Sequence, residues 1–169
     1  MFFMKKALVV YFTYTNGNTK RIAERAQKSL NADIAAIETK VPYPRDYNQV
    51  VNQAQEEVKR GFMPEIKPLK YNLHNYDVIV VGTPAWWYTM APAVKTFLTQ
   101  NDFSGKTVVP FMTNAGWPGH VIRDMKAACR GARVVHEKEF RFDSQGGAAM
   151  ETPEQEVNSW AESLKACLE

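Results

Sequence analysis

The stretch ALVVYFTYTNGNTKRIAE, residues 7–24, changes its pattern in the middle. Its first six residues are all apolar or aromatic, which predicts a strand buried on both faces of a sheet. From Asn18 onward the apolar residues Ile22, Ala26 and Leu30 recur at helical spacing. The stretch therefore predicts a buried strand, a loop rich in hydroxyl and amide groups, and a helix that begins near Asn18.

The rest of the chain repeats this alternation. Further strands are predicted at residues 33–37, 77–83, 107–112 and 133–142, the last at a sheet edge because its composition is polar. Amphipathic patterns separate these strands, and one more follows the last strand. Five strands alternating with helices predict an α/β fold, a doubly wound parallel sheet with helices on both faces.

The last helix carries the clearest start signal of the chain. Thr152 and Gln155 have the spacing of a capping box, and Pro153 suits the first helical turn. We therefore expect this helix to begin with the Thr152 side chain as its N-terminal cap.

Composition and charge narrow the class of protein. A length of 169 residues indicates one domain, residues 1–169, and the net charge of +3 comes from scattered basic residues, which argues against a nucleic-acid binder. The apolar start is too short for a signal peptide, and no apolar run approaches the roughly 18 residues of a membrane span. We expect a cytoplasmic protein that does not span a membrane. The histidines lack the spacing of metal ligands, so no metal site is predicted.

Function is to be sought at the carboxyl ends of the strands, because open parallel sheets bind ligands there. The loops that follow the first, third and fourth strands are TYTNGNTK (13–20), TPAWWYTM (83–90) and TNAGWPGH (113–120). All three have unusual compositions, and all three are expected at the same edge of the sheet. The functional interpretation therefore rests on the three loops together.

The first loop is typical of a phosphate site, although not of a known nucleotide motif. The chain has no GxGxxG, and Gly105-Lys106-Thr107 lacks the earlier glycine of a P-loop and precedes a strand, which indicates a turn. TYTNGNTK offers hydroxyl groups and the free N–H groups of a helix start, which together bind one phosphate. A plain Asn-Gly turn with a threonine cap is the alternative.

The second and third loops supply aromatic and glycine residues. Two adjacent tryptophans at a strand end favour a planar ligand stacked on one indole, although packing under the next helix or in a dimer contact is the alternative. The third loop adds Trp117 and two glycines, whose backbone can approach the edge of a ring. One phosphate, one flexible chain and one flat ring describe flavin mononucleotide (FMN).

Four segments carry a resemblance to a known family. They are VVYFTYTNGNTKRIAE (9–24), YPRDYNQVVNQAQEE (43–57), YDVIVVGTPAWWYTMAPAVKTFL (76–98) and FSGKTVVPFMTNAG (103–116). Together they resemble the flavodoxin family, and specifically its short members with a Trp-Trp loop. The resemblance implies a flavodoxin-like five-stranded sheet in the order 2-1-3-4-5, with FMN bound at the switch point.

The resemblance also implies which residues bind FMN. The predicted phosphate cradle is Thr13, Thr15, Asn16, Gly17, Asn18 and Thr19. The predicted contacts to the ribityl chain and one ring face are Thr83, Pro84, Ala85, Trp86, Trp87 and Tyr88. The predicted border of the pyrimidine edge is Thr113, Asn114, Ala115 and Gly116, with Trp117 over the other ring face.

Two departures from the family pattern stand in these loops. The usual phosphate loop has six residues, whereas residues 13–19 form a loop of seven with Asn16 added. Tyr88 stands where the relatives often have glycine, and a positive φ there costs a tyrosine roughly 1–2 kcal/mol.

The implied function is that of a low-potential electron-transfer protein, a monomer or weak dimer that exchanges electrons with partner redox proteins. An FMN-dependent NAD(P)H:quinone or flavin oxidoreductase is the alternative, and a non-redox binding module on the same scaffold is a third class. No catalytic side chain is predicted, because His120 is expected to be a solvated loop residue and Asp124 a charge on a helix surface.

Overall fold

A computed structural model describes residues 4–169, so the first three residues of the predicted domain lie outside the described part. Its elements are β1 (Ala7–Tyr11), α1 (Asn18–Leu30), β2 (Asp33–Ala36), α2 (Tyr47–Lys59), β3 (Val78–Trp86), β4 (Thr89–Met90), α3 (Pro92–Gln100), β5 (Thr107–Asn114), α4 (Val121–Ala128), β6 (Arg133–Val134), β7 (Lys138–Arg141) and α5 (Glu154–Ser163). Short 3₁₀ helices span Leu73–Asn75 and Leu164–Leu168. Over residues 4–169, no helix combines the length and hydropathy needed to cross a membrane.

The sheet has the predicted doubly wound arrangement. Strands β2, β1, β3, β5 and β6 lie side by side in that order, and all their pairings are parallel. Because β5 is the fourth long strand and β6 belongs to the fifth, this is the predicted order 2-1-3-4-5. The difference lies in β4, a two-residue strand that folds back antiparallel on the end of β3.

The predicted fifth strand is divided into β6 and β7 by a bulge. Thr107 pairs with Arg133 but Phe111 pairs with Lys138, so four steps along β5 face five steps along the edge strand. The extra residue falls at His136, whose φ is +54°. A bulge turns one residue out of the ladder. The carbonyl of His136 thus accepts a hydrogen bond of 2.8 Å from Trp160 Nε1 instead of a strand partner.

Helices cover both faces of the sheet, as predicted, because alternate residues of the buried strands point to opposite sides. Leu8 and Val10 pack with residues of α3 and α4, whereas Val9 packs with residues of α1 and α5. Helix α2 packs against α3 and β3. Two buried layers therefore hold the sheet rigidly, and the loops at its carboxyl edge extend from a fixed frame.

The predicted capping box of the last helix is wrong. Helix α5 begins at Glu154 with Pro153 at its cap position, and no side chain caps it. The Thr152 hydroxyl instead accepts a hydrogen bond of 2.7 Å from the backbone N–H of Arg141. An edge strand offers unpaired N–H groups. The hydroxyl therefore serves β7 and not the helix.

We predict that Gly82→Ala destabilises the sheet. Gly82 lies beside Phe111 in the β3–β5 ladder, and a Cβ at Gly82 would stand 2.6 Å from Phe111 Cε1. Forcing a methyl group into this space should lower the free energy of unfolding by about 1–3 kcal/mol, measured by urea denaturation. Phe111→Leu should lower the free energy of unfolding less in the Gly82→Ala variant than in the wild type, because the smaller side chain relieves the clash with the added methyl group. An unchanged unfolding midpoint for Gly82→Ala would contradict this packing.

Candidate functional site

A cavity of about 640 Å³ opens at the carboxyl ends of β1, β3 and β5, with α2 as a further wall. It lies at the switch point of the sheet, since β2 flanks β1 on one side and β3 on the other. We call it the cleft. Twelve of the predicted site residues line it: Thr13, Thr15, Asn16, Asn18, Thr19, Pro84, Ala85, Trp86, Trp87, Thr113, Asn114 and Ala115.

One end of the cleft is a concave loop of backbone N–H groups and hydroxyls. Asn16 and Gly17 have φ values of +56° and +67°. Helix α1 begins directly after them, and its cap residue, Gly17, supplies no side-chain hydrogen bond to the first turn. The first intrahelical bond runs from Arg21 N–H to the Gly17 carbonyl. The preceding N–H groups of the first turn have no intrahelical acceptor, which makes this end suited to an anion.

The loop is anchored to the centre of the sheet by Thr19. Its hydroxyl is buried and lies 2.8 Å from the Thr113 hydroxyl at the end of β5. This hydrogen bond joins the first and third predicted loops directly. Their relative position is therefore fixed by the sheet.

Trp86 and Trp87 hold different positions in the second wall. Trp86 is surrounded by Phe12, Tyr14 and Tyr43, whose rings meet it edge-on at centroid distances of 5.4, 5.9 and 5.1 Å. Trp87 is 38% exposed and its Nε1 donates to the Val51 carbonyl of α2 at 3.0 Å. Trp86 is thus embedded in an aromatic cluster, and Trp87 stands at the mouth of the cleft.

Trp87 and Tyr88 form the two-residue turn between β3 and β4. Both have positive φ, +50° and +69°, in the manner of a type I′ hairpin turn, although such turns normally use asparagine and glycine. Each aromatic residue carries strain of roughly 1–2 kcal/mol in this conformation. The surrounding structure must therefore hold the turn.

The third loop holds this turn from outside. The Tyr88 carbonyl accepts a hydrogen bond of 2.8 Å from the backbone N–H of His120. At Gly119, whose φ is +55°, a Cβ would stand 2.6 Å from Tyr88 Cβ. Any larger residue at Gly119 would push the two loops apart, so glycine is required for the close approach.

His120 is an exposed loop residue and Asp124 lies on α4, as predicted, but the two side chains contact each other. The His120 ring is hydrogen-bonded to the Asp124 carboxylate, which also accepts from the Thr89 hydroxyl at 2.6 Å. Burial alone would raise the pKa of Asp124. The hydrogen bonds from Thr89, His120 and Arg123, with the charge of His120, outweigh burial and leave this pKa below its usual value. Asp124 therefore ties α4 to the hairpin.

Five predicted site residues do not line the cleft: Gly17, Thr83, Tyr88, Gly116 and Trp117. The Thr83 hydroxyl donates to the Pro84 carbonyl at 2.8 Å and accepts from Ala91 N–H at 3.0 Å, so it braces the hairpin. Trp117 is 68% exposed. The remaining three belong to the backbone turns that shape the loops.

Several residues of the cleft were not predicted from the sequence. They are Tyr14, Tyr47, Val50, Val51, Ala54, Gln145 and Gly146. The α2 members belong to its apolar stripe, a pattern that is typical of any amphipathic helix. Gln145 and Gly146 carry no motif, and only the folding of the β7–α5 loop brings them to the cleft.

A buried carboxylate lies behind the aromatic wall. Glu57 is 3% exposed, and it accepts hydrogen bonds from Tyr43 Oη at 2.7 Å and Gln53 Nε2 at 2.8 Å. No cation lies within 4.0 Å of it among residues 4–169. Burial, the hydrogen bond with Glu57 and its charge raise the pKa of Tyr43 above its usual value. The phenol therefore stays a donor to the carboxylate.

With this fold and cleft in place, the class of protein is clear. The family model described as Flavodoxin matches residues 6–162. The chain belongs to the flavodoxin family.

Individual relatives agree with this assignment. A candidate flavoprotein of Bacteroides eggerthii is 28% identical, with a TM-score of 0.75 and coverage of 94% of this chain and 97% of that one. A Lactobacillus acidophilus flavoprotein in complex with FMN is 22% identical, with a TM-score of 0.68 and coverage of 80% and 92%, a likeness of fold. Flavodoxin 1 of Salmonella typhimurium is 26% identical over 106 residues, 60% of this chain and 46% of that protein. The chain spans about half the length of this curated relative.

We predict that Tyr88→Gly is more stable than Tyr88→Ala. Both variants lose the ring, but only glycine adopts the φ of +69° without strain. The free energy of unfolding should be about 1 kcal/mol higher for the glycine variant. The exposed helical residue Lys28 gives the matched control, where glycine should be the less stable of the two by a similar amount. If alanine were more stable than glycine at position 88 as well as at position 28, the turn would not be strained.

We also predict that Tyr43→Phe costs more stability than Tyr14→Phe. The first change leaves the buried Glu57 carboxylate with one donor, whereas the second removes a hydrogen bond to the Pro44 carbonyl, a neutral acceptor. An uncompensated buried charge should cost about 1–3 kcal/mol, measured by urea unfolding. Adding Glu57→Gln should recover part of the loss in Tyr43→Phe. Equal costs for the two tyrosines would show that the hydrogen bond from Tyr43 to Glu57 contributes no more stability than one to a neutral carbonyl.

Proposed function

We propose that the chain binds one FMN in the cleft and serves as a low-potential electron-transfer protein. The observation that supports this most strongly is the union of an anion-binding helix start and an aromatic wall in one cavity of about 640 Å³. This volume is in the range of small-ligand sites. The donors at one end and the indoles along one side match a monophosphate joined to a flat ring.

The phosphate is assigned to the end formed by residues 13–19. The N–H groups of the first turn of α1 and the hydroxyls of Thr13 and Thr15 supply donors, while the helix end adds a favourable field. Gly17 lies outside the cavity wall and contributes its left-handed backbone directly before the first turn of α1. The nest is neutral, so it holds the phosphate by directed hydrogen bonds instead of paired cations.

The ring is assigned to the wall at the mouth of the cleft. Trp87 is the proposed stacking residue, because it is partly exposed and fixed by its hydrogen bond to Val51. Trp86 supports this wall from within the aromatic cluster. Residues Thr113, Asn114, Ala115 and Gly116 are assigned to the pyrimidine edge. Trp117 stands in solvent in this structure, so its predicted place over the second ring face remains a proposal.

The related proteins support this cofactor. The chain belongs to the flavodoxin family, and its neighbour from Lactobacillus acidophilus is a flavoprotein in complex with FMN. When bound, FMN accepts and donates electrons one at a time. The chain supplies the binding, the orientation and the electrostatic environment of the ring.

The electrostatic environment favours a low potential. The Glu57 carboxylate lies behind Tyr43, which touches Trp86 in the wall of the cleft. A buried negative charge on this side opposes the extra electron density of a reduced ring. The aromatic wall also excludes water, which would otherwise stabilise that charge. The proposed redox partners then receive electrons at the exposed mouth.

An FMN-dependent NAD(P)H:quinone or flavin oxidoreductase is the second candidate. A specific observation favours it: a further cavity of about 810 Å³ lies on the α3–α4 side of the hairpin, and Thr89, Met90 and Asp124 contribute to its wall. A second substrate bound there would be separated from the cleft by the hairpin and by α2, which contributes Glu57 and Val58 to this cavity. An electron carrier does not require such a cavity.

The deciding experiment is an anaerobic reductive titration of the purified full chain with FMN, followed by absorbance, and then an assay with NADH or NADPH and a quinone. We expect one FMN per chain, released by acid, and reduction without appreciable NAD(P)H turnover. Rapid NAD(P)H oxidation with the quinone would replace the carrier by the oxidoreductase. A chain that takes up no FMN would overturn both functions.

A further inference from the structure

Two tyrosines of the aromatic cluster touch the same indole, but their phenol groups contact different acceptors. Tyr14 and Tyr43 both meet the Trp86 ring edge-on, at centroid distances of 5.9 and 5.1 Å. The Tyr14 hydroxyl donates to the Pro44 carbonyl, whereas Tyr43 Oη donates to Glu57 Oε1 at 2.7 Å. The two tyrosines therefore share one ring neighbour, and they differ in whether the acceptor is a neutral amide oxygen or a carboxylate.

The nature of the acceptor decides whether a phenol can lose an electron easily. An oxidised phenol is a strong acid, so a tyrosine gives up an electron readily only when its proton moves to a base in the same step. A carboxylate within about 2.6–3.2 Å is a competent base, whereas an amide carbonyl is far too weak a base to take the proton. The distance of 2.7 Å between Tyr43 and Glu57 lies in this range. Of the two tyrosines, only Tyr43 meets the condition for oxidation.

Glu57 is held in position to receive that proton. Its second oxygen, Oε2, accepts from Gln53 Nε2 at 2.8 Å, and the residue is 3% exposed. Both of its hydrogen bonds come from donors, which suits an ionised carboxylate because that form only accepts. Burial, with the hydrogen bond to Glu57 and its charge, raises the pKa of Tyr43, so the phenol keeps its proton until an electron leaves.

Trp86 connects this pair to the cleft. The indole is half-buried and contributes to the cleft wall, while its ring meets that of Tyr43 at an interplanar angle of 85°. Rings in contact exchange electrons much faster than rings separated by intervening protein, because electronic coupling falls steeply with distance. An electron can therefore pass from Tyr43 to the wall of the cleft in one short step through Trp86.

A third tyrosine shows that the two conditions are separable. Tyr76 Oη donates to Asp33 Oδ2 at 2.6 Å, so this phenol also has a carboxylate as its acceptor. Its ring meets that of Tyr71 and, within residues 4–169, no indole. Tyr14 thus has the indole without the base, and Tyr76 has the base without the indole. Tyr43 has both.

We propose that Trp86, Tyr43 and Glu57 form a proton-coupled electron relay between the cleft and the protein interior. A strongly oxidising radical in the cleft takes one electron from the Trp86 indole and is reduced. The indole recovers an electron from Tyr43, whose O–H bond breaks as its proton passes to Glu57. The products are a neutral tyrosyl radical and a protonated Glu57, and the indole that lines the cleft is restored. The relay uses only side chains of this chain, so it goes beyond the proposed FMN function and does not depend on it.

The test is pulse radiolysis of the full chain without flavin, with azide radicals as the oxidant and absorbance as the readout. Azide radicals oxidise tryptophan and become azide anions. In the wild type we expect a fast phase, independent of protein concentration, in which indolyl radical decays as tyrosyl radical forms. Tyr43→Phe and Trp86→Phe should each lose this phase. Glu57→Gln still accepts a hydrogen bond but is a far weaker base, so it should slow the phase about 100-fold.

Tyr14→Phe and Tyr76→Phe are the matched controls, because each tyrosine meets one condition and lacks the other. Both variants should keep the rate and amplitude of the wild type. An equal loss in Tyr14→Phe and Tyr43→Phe, or an unchanged rate in Glu57→Gln, would overturn the role of the carboxylate.

A measurement on the wild type needs no substitution. The fast phase should be slower in heavy water, because the transferred proton is replaced by a deuteron. An equal rate in light and heavy water would contradict proton transfer in this step. A wild type without the fast phase would overturn the relay and leave the proposed function, which is tested by titration with FMN, standing.

Discussion

The hydrogen bond between the His120 N–H and the Tyr88 carbonyl is the contact on which the cleft depends. It joins the hairpin that bears Trp86 and Trp87 to the loop that follows β5. The turn at its centre is strained because two aromatic residues adopt positive φ, and a strained turn persists only when its surroundings determine it. Gly119, by its close approach, and Asp124, by its hydrogen bond with Thr89, provide that support.

The two sides of the same hairpin contact different groups. On one side Trp86 belongs to a cluster of rings that ends at the buried Glu57 carboxylate. On the other side the Thr89 hydroxyl meets Asp124, whose pKa is lowered by its donors. The proposed flavin ring would therefore lie on the side of the Glu57 carboxylate, which has tyrosine and glutamine donors, whereas Asp124 is paired with His120 and Arg123.

The parts of this structure that the sequence predicted are those determined by short-range patterns. The apolar run of β1 and the spacing of Ile22, Ala26 and Leu30 report burial directly, so the strand, the helix and the parallel order were predicted correctly. The bulge at His136 was not, because it depends on register with β5 and on the Trp160 indole. The prediction that Thr152 caps the last helix was wrong for a similar reason, because the backbone N–H of Arg141 donates a hydrogen bond to the Thr152 hydroxyl.

The residues of the candidate site also comprise some that local sequence patterns predict and some that depend on contacts between distant parts of the chain. Loops with unusual composition were found from the sequence, and twelve of the site residues predicted in them line one cavity. The members supplied by α2 were hidden because an apolar helix stripe looks alike whether it faces a core or a cleft. Gln145 and Gly146 belong to a loop that is held beside the cleft by hydrogen bonds from Asn16 to the Gly146 carbonyl and from Asn18 to the Gly147 carbonyl, between residues about 130 positions apart. Such a pairing leaves no local pattern for a single sequence to reveal.

The loop proposed to hold the phosphate, residues 13–19, contains no lysine or arginine. Lysine or arginine in the nest would attract any anion, including a longer chain of phosphates, because a point charge has little directional preference. Backbone N–H groups and hydroxyls are directional, so they satisfy one phosphate in one place. The first three cations of α1 are instead paired: Lys20 with Glu24, and Arg21 and Arg25 with Glu154. The proposed loop would therefore hold a phosphate by the direction of its donors and not by net charge.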